Sequence, residues 1–182
     1  MMKIEIANLT EESLQDAPEW ESHPFSCKYC LYWECPPEAG PATLTRDEAL
    51  RRKTDWLRRT NALFGHCGKL AYVDGVAAGY AQYAPAELLP VAASYPAGPP
   101  SSHAVLISCL FVPQRRFRGL GLASRLLESV LAESRQRGVT AVETFARRGR
   151  ADNPSGPEGF YLARGFRTLR DDAEFPLLHL DL

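Results

Sequence analysis

Residues 112–131 read VPQRRFRGLGLASRLLESVL. An apolar run stops at Pro113, then come Arg115, Arg116 and Arg118, then Gly119 and Gly121, and a helical pattern starts at once. Two readings of this junction are open. It is a surface helix start with solvated basic side chains, or it is a site for a phosphate. The second has a physical basis. A helix N-terminus has unpaired amide donors and a partial positive charge. Glycines without a Cβ let a diphosphate approach the backbone, and arginine can grip phosphate oxygens bidentately.

The flanking segments set the junction in a fold. HAVLISCLFV (103–112) is continuously apolar, as in a strand buried on both faces. A helix over about 121–137 ends at Gly138, and VTAVETFA (139–146) predicts the next strand, so 103–146 forms a parallel crossover. Upstream, KIEIANL (3–9) alternates like a half-buried strand, and TEESLQDAP predicts a short helix ended by Pro18. LTRDEALRRKTDWLRRTNALFG predicts a helix with a Thr45–Glu48 capping box and a left-handed cap at Gly65. Its apolar face is Leu50, Trp56, Leu57, Leu63 and Phe64. KLAYVDGVAAGYAQYA predicts a hairpin about Asp74-Gly75.

Two irregular segments interrupt this order. Residues 17–44 hold prolines, cysteines and the aromatic group Trp20, Phe25, Tyr29, Tyr32 and Trp33, which predicts a structured loop packed on the domain. Residues 84–102 form a long proline-rich loop. At the C-terminal end, PEGFYLARGF predicts a short helix, and FRTLRDD with EFPLLHLDL a terminal hairpin. The fold class is mixed α/β (α+β), built on one mostly antiparallel sheet with a parallel crossover.

Composition narrows the function. A chain of 182 residues, 45% hydrophobic and 24% charged, suits one folded domain spanning 1–182. A net charge of −1 argues against a general nucleic-acid binder. No apolar run reaches membrane-span length. MMKIEIANLT does not read as a secretory leader, so the expected compartment is the cytoplasm and the cysteines are expected to be reduced. A P-loop is excluded because no Gly-Lys-Ser or Gly-Lys-Thr follows the turn, and the dinucleotide pattern fails where Ser124 replaces its third glycine.

The run Arg116-Phe117-Arg118-Gly119-Leu120-Gly121 fits R/Q-x-x-G-x-G/A and resembles the pyrophosphate loop of the GNAT N-acyltransferase superfamily. The likeness extends over about 68–170: a buried strand before the loop, a strand after the next helix, then Asn153, Tyr161 and Gly165-Phe166. The Asn-to-Tyr spacing is one residue longer than the family's usual form, with Pro154, Gly156 and Pro157 in place of helix formers.

The resemblance implies a GNAT-like fold with a splayed central strand pair, a bulge near Ser108–Cys109, and transfer of an acetyl or other acyl group from acetyl-CoA to a primary amine. It implies that backbone amides from about Arg118 to Ala123, with Gly119, Leu120, Gly121 and Leu122 between them, hold the pyrophosphate, helped by Arg116 and Phe117. It also implies that Leu110, Phe111 and Val112 pair with the pantetheine arm, that Asn153 assists, and that Tyr161 is the acid for the departing thiolate. Glu143 is the candidate base; an ordinary salt-bridged strand residue is the other reading of it, and a water chain could serve as base instead. The implied partner is a small-molecule or peptide amine; neither nucleic acid nor membrane is expected, and a homodimer would fit the family. A non-catalytic acyl-CoA sensor on the same fold is the alternative.

CKYCLYWEC spaces Cys27, Cys30 and Cys35 as C-x2-C-x4-C. A zinc site would need a fourth ligand from His23, His66 or Cys67, and no second close pair exists, so packed thiols are expected and metal is not. A redox pair is the remaining reading. Cys109 is expected to pack in its strand, with an acyl-cysteine intermediate as the other option. His103 and His179 are expected to be strand residues.

Overall fold

The computed structural model describes residues 2–19, 26–35, 44–150 and 152–182. The expectations on Trp20, His23 and Phe25 lie outside the described residues. The element order is β1 (Ile4–Asn8), α1 (Arg46–Phe64), β2 (Gly68–Val73), β3 (Val76–Pro85), β4 (Ala104–Phe111), α2 (Leu122–Gln136), β5 (Ala141–Phe145), α3 (Glu158–Leu162), β6 (Arg167–Arg170) and β7 (Leu177–Asp181). They build a seven-stranded sheet in the order β1-β2-β3-β4-β5-β7-β6. Only β4 and β5 run parallel, joined across α2; the other neighbours are antiparallel. This is the mixed, mostly antiparallel architecture that the sequence predicts.

Each face of the sheet carries its own core. On one, α1 lays Trp56 and Leu57 against Tyr80, Leu106 and Phe145, with Trp33 of the 26–35 loop alongside. On the other, α2 and α3 bring Leu126, Val130 and Tyr161 against Ile107 and Val142. Every residue of β4 and β5 is buried, because both faces are covered. The hairpin turn between β2 and β3 uses Asp74 at φ +48° and Gly75 at φ +81°, both positive as a tight turn of this twist requires.

Several local expectations are corrected. The first helix shrinks to a 3₁₀ turn, Ser13–Asp16, since Ala17 is already extended before Pro18. The capping box is half made: Thr45 Oγ1 accepts from the Glu48 amide at 3.2 Å, while the Glu48 carboxylate turns to Arg51 and Arg52. Gly65 has φ +93° with ψ −169°, so the chain leaves α1 extended rather than coiling left-handed. Leu63 is 76% exposed, and Lys53 takes a buried place on the helix instead. Residues 86–94 hold two short 3₁₀ turns, which bury Leu89, Val91 and Ala92; the proline-rich segment is part of the core.

Candidate active site

β4 and β5 pair only from Ala104–Ala141 to Ile107–Thr144 and then part. On the other side of β4, Cys109 and Ile107 face the consecutive residues Gln82 and Tyr83, which leaves Ser108 as the extra residue of a bulge. The Ser108 hydroxyl donates to the Gln82 carbonyl at 3.2 Å. A bulge bends its strand, and the edge of β4 beyond it is left without a strand partner.

Two cavities flank this opening. One, about 420 Å³, lies at the start of α2. It is lined by Leu110, Phe111 and Val112 of β4 and its end, by Phe117, Arg118, Gly119, Gly121, Leu122 and Ala123, and by Asn153. Arg116 and Leu120 are not among its lining residues; Arg116 instead donates to Gln114 at 3.0 Å and stacks on Phe117. The other cavity, about 360 Å³, lies beside the 26–35 loop and includes Tyr29, Cys30, Trp33, Tyr95, Cys109 and Phe175. Asn153 lines both cavities.

The first cavity has what a diphosphate needs. The amides of Leu122, Ala123 and Ser124, the first turn of α2, have no acceptor among the described residues. Gly119 and Gly121 hold φ +81° and +76°, and a Cβ built on either meets nothing within 4 Å, so both face open space. Arg118 is not the mobile charge expected from sequence. Its guanidinium donates to the carbonyls of Val112 (3.0 Å) and Pro113 (2.9 Å) and to Asp152 (2.7 Å). Arg164, which sequence reasoning missed, lines the same cavity, donates to Ser124 Oγ at 2.6 Å and lies 3.8 Å over the Phe160 ring. No motif marks it; only the packing of α3 beside α2 brings it there.

Between the cavities runs a strap, residues 152–157. Asp152 is tied to Arg118, the Pro154 carbonyl accepts the Leu110 amide at 2.8 Å, and the Gly156 carbonyl accepts the Arg147 amide at 2.8 Å. The unusual Pro154, Gly156 and Pro157 are the strap itself: Gly156, at φ +77°, would put a Cβ 3.1 Å from the Tyr161 hydroxyl. Tyr161 is wholly buried and donates to the Ser155 carbonyl at 2.9 Å. Burial pushes its pKa up.

Glu143 lines neither cavity. Its carboxylate is fully buried and accepts from the Ser101 amide (2.8 Å), the Ser101 hydroxyl (2.7 Å) and His179 Nδ1 (2.9 Å). His179 Nε2 donates in turn to Asp181 at 2.9 Å. These contacts occupy the group expected as a base.

Among the described residues no group of three or more His, Cys, Asp or Glu side chains could hold a metal ion. Burial raises the pKa of Cys27, Cys30 and Cys109, which keeps these thiols protonated and disfavours an acyl-cysteine step. Beneath them is a polar cluster that the sequence did not announce. Lys53 donates to the Cys30 carbonyl (3.0 Å), to Gln82 Oε1 (2.6 Å) and to Glu34 Oε1. Gln82 Nε2 also donates to Glu34 Oε1 at 2.8 Å, and Tyr80 donates to Gln82 Oε1 at 2.8 Å. The Lys53 and Glu34 side chains are 3% and 2% exposed, and Glu34 Oε2 is buried with no hydrogen-bond partner among the described residues.

The sequence matches the acetyltransferase (GNAT) family over residues 28–166. The chain belongs to the GNAT family. It is therefore an acyl-CoA-dependent acetyltransferase with acetyl-CoA as co-substrate. The GNAT fold recurs in solved structures aligned over nearly the whole chain. The PaiA N-acetyltransferase of Thermoplasma acidophilum, in complex with coenzyme A, shares 12% identity at a TM-score of 0.63, covering 99% of each chain. YncA of Salmonella typhimurium, a putative acetyltransferase with acetyl-CoA, shares 16% at 0.63, covering 98% of this chain and 94% of its own. Arabidopsis thaliana Naa50, in complex with the bisubstrate analogue CoA-Ac-MVNAL, shares 15% at 0.57, covering 98% of this chain and 99% of its own. No curated protein sequence matches the chain significantly. No helix among the described residues is long and apolar enough to cross a membrane.

Proposed function

We propose that the chain, as one domain, transfers an acetyl group to a primary amine by direct attack, with donor and acceptor entering from opposite faces of the sheet. The observation that carries this reading is Asn153, which lines both cavities where β4 and β5 part. Bound acetyl-CoA supplies a thioester, an acyl group already activated toward a nitrogen nucleophile.

In this reading the residues divide the labour. The first-turn amides of α2, reached over Gly119 and Gly121, hold the diphosphate. Main-chain groups of Leu110, Phe111 and Val112 line the pantetheine arm, with Asn153 beside it. Arg118 changes partner from Asp152 to phosphate, which loosens the strap. Tyr161 then exchanges its Ser155 acceptor for the departing sulfur and gives it a proton; a buried phenol with a raised pKa stays protonated until the thiolate forms. Glu143 is assigned a structural role, orienting His179 and the 101 turn, and proton removal from the amine falls to water in the cleft.

The test is calorimetry of the protein with acetyl-CoA, followed by thiol release with a primary amine. Binding heat and amine-dependent thiol release are expected. Absence of heat with both coenzyme A and acetyl-CoA overturns the reading.

A further inference from the structure

The cleft on the α1 face is walled largely by aromatic rings, with Asn153 and Ser155 at its polar side. Tyr29, Tyr32, Trp33, Tyr95 and Phe175 line it, and among the described residues no charged side chain does. The rings are fixed before any ligand arrives. Tyr95 stacks on Trp33 with centroids 5.0 Å apart, and on Phe145 at 4.3 Å. Phe175 meets Tyr95 edge-on at 5.7 Å, and Tyr32 meets Trp33 edge-on at 5.3 Å. The Tyr95 hydroxyl bonds that of Tyr32 at 3.1 Å. Walls already ordered lose little entropy when they close on a guest.

At about 360 Å³ the cleft is at the small end of ligand sites. A flexible polycation would meet no row of carboxylates here. A peptide would bring backbone amides to a wall with few partners for them, and unpaired polar groups are costly to bury. One carboxylate does lie in the layer beneath: Glu34, paired with Lys53, its Oε2 buried with no hydrogen-bond partner among the described residues. Glu34 follows the lining residue Trp33, and Lys53, which grips its other oxygen, also holds the carbonyl of the lining residue Cys30.

Resting on the acetyltransferase reading above, we propose that the acceptor is a compact primary amine with an aromatic body, an arylalkylamine. Its ring packs among Trp33, Tyr95 and Phe175, and its amino end points toward Cys109 and the splay, held there by the aromatic ring faces. The ammonium first gives one proton to water; the nitrogen–carbonyl bond then forms as the carbon–sulfur bond breaks, Tyr161 protonates the thiolate, and the second proton leaving nitrogen returns through water to Tyr161.

The experiment measures thiol release from acetyl-CoA with phenethylamine, tyramine and tryptamine, with spermidine, and with a short peptide bearing a free N-terminus. The arylalkylamines are expected to exceed the other two in kcat/KM by at least about tenfold. Trp33→Ala and Tyr95→Ala are expected to raise KM for the arylalkylamine about tenfold or more while the heat of coenzyme A binding is kept; Trp33→Phe and Tyr95→Phe, which preserve the packing, are expected to raise it less. Preference for spermidine or for the peptide, or no arylalkylamine turnover with coenzyme A binding intact, overturns this inference alone. Absence of any coenzyme A heat overturns the underlying reading and this inference with it.

Discussion

The Pro154 carbonyl accepts the amide of Leu110 at 2.8 Å, across the gap where β4 has left β5. In a sheet that bond would belong to a neighbouring strand. Here a proline carbonyl from the strap fills the place, and the same strap ends on Arg118 through Asp152. In the proposed reading donor binding and strap release are coupled: whatever draws Arg118 to phosphate weakens the hold on Leu110. Hydrogen exchange at the Leu110 amide should change when saturating acetyl-CoA is added. Asp152→Ala, which removes one latch and one negative charge from the cavity, should tighten coenzyme A binding by about two- to fivefold, the scale of a half-exposed ion pair. Calorimetry reads this directly; weaker binding would contradict the latch.

Tyr161→Phe should separate chemistry from binding. Its hydroxyl has one acceptor, the Ser155 carbonyl. Removing it should cost about 1 kcal/mol of stability and lower kcat about a hundredfold or more, with coenzyme A affinity nearly unchanged. Single-turnover thiol release at saturating amine is the measurement. An unchanged kcat would remove Tyr161 from the mechanism.

Gly121 caps α2 at φ +76°, ψ +10°, a left-handed conformation that a Cβ disfavours. Gly121→Ala should cost about 1–2 kcal/mol in unfolding experiments. Its methyl would also stand in the cavity beside the unpaired amides, so coenzyme A affinity should fall at least about tenfold, a loss of about 1.4 kcal/mol. A drop in stability with affinity intact would separate the loop from the ligand.

The buried Lys53–Glu34 pair makes a different prediction. Lys53→Met leaves a buried carboxylate beside Gln82 with no cation, which should cost about 3–5 kcal/mol. Lys53→Met combined with Glu34→Gln removes both charges and should recover a large part of that loss. Urea midpoints of the three proteins measure it.

Sequence alone made the strand order along the chain and the glycine turn into α2 legible, for a common reason. Both depend on local pattern: a continuous apolar run at 103–112, a helix that starts immediately after Gly121, and a glycine pair where the backbone takes positive φ. What stayed hidden depends on partners far apart in the chain. Lys53 falls on the apolar face of α1, three residues after Leu50 and four before Leu57, but its charge argued against burial; Glu34 and Gln82 make that burial possible. Glu143 shared a face with apolar strand residues and so looked like a base, but Ser101 and His179, distant in sequence, occupy it. Arg118 read as free charge because Asp152 lies 34 residues away. Pro154 and Gly156 looked like departures from a family pattern; in space they are the strap that fills the splay.

His179 closes the far end of β5 and gives the fold a pH dependence. Both ring nitrogens face carboxylates, Glu143 at 2.9 Å and Asp181 at 2.9 Å, so the imidazolium form satisfies both contacts. Burial favours the neutral ring, but the hydrogen bonds to Asp181 and Glu143 outweigh it, and the net effect is a raised pKa. A group bound more tightly to its proton in the folded state stabilises that state while protonated. Its contribution is full below the unfolded-state value of about 6.5 and is lost as pH rises through the higher folded value. Unfolding free energies measured in urea from pH 6 to pH 9 should therefore fall across that window. In His179→Gln the amide can still donate to one carboxylate but does not titrate, so this part of the slope should vanish. An equal slope in both proteins would show that His179 is not its source.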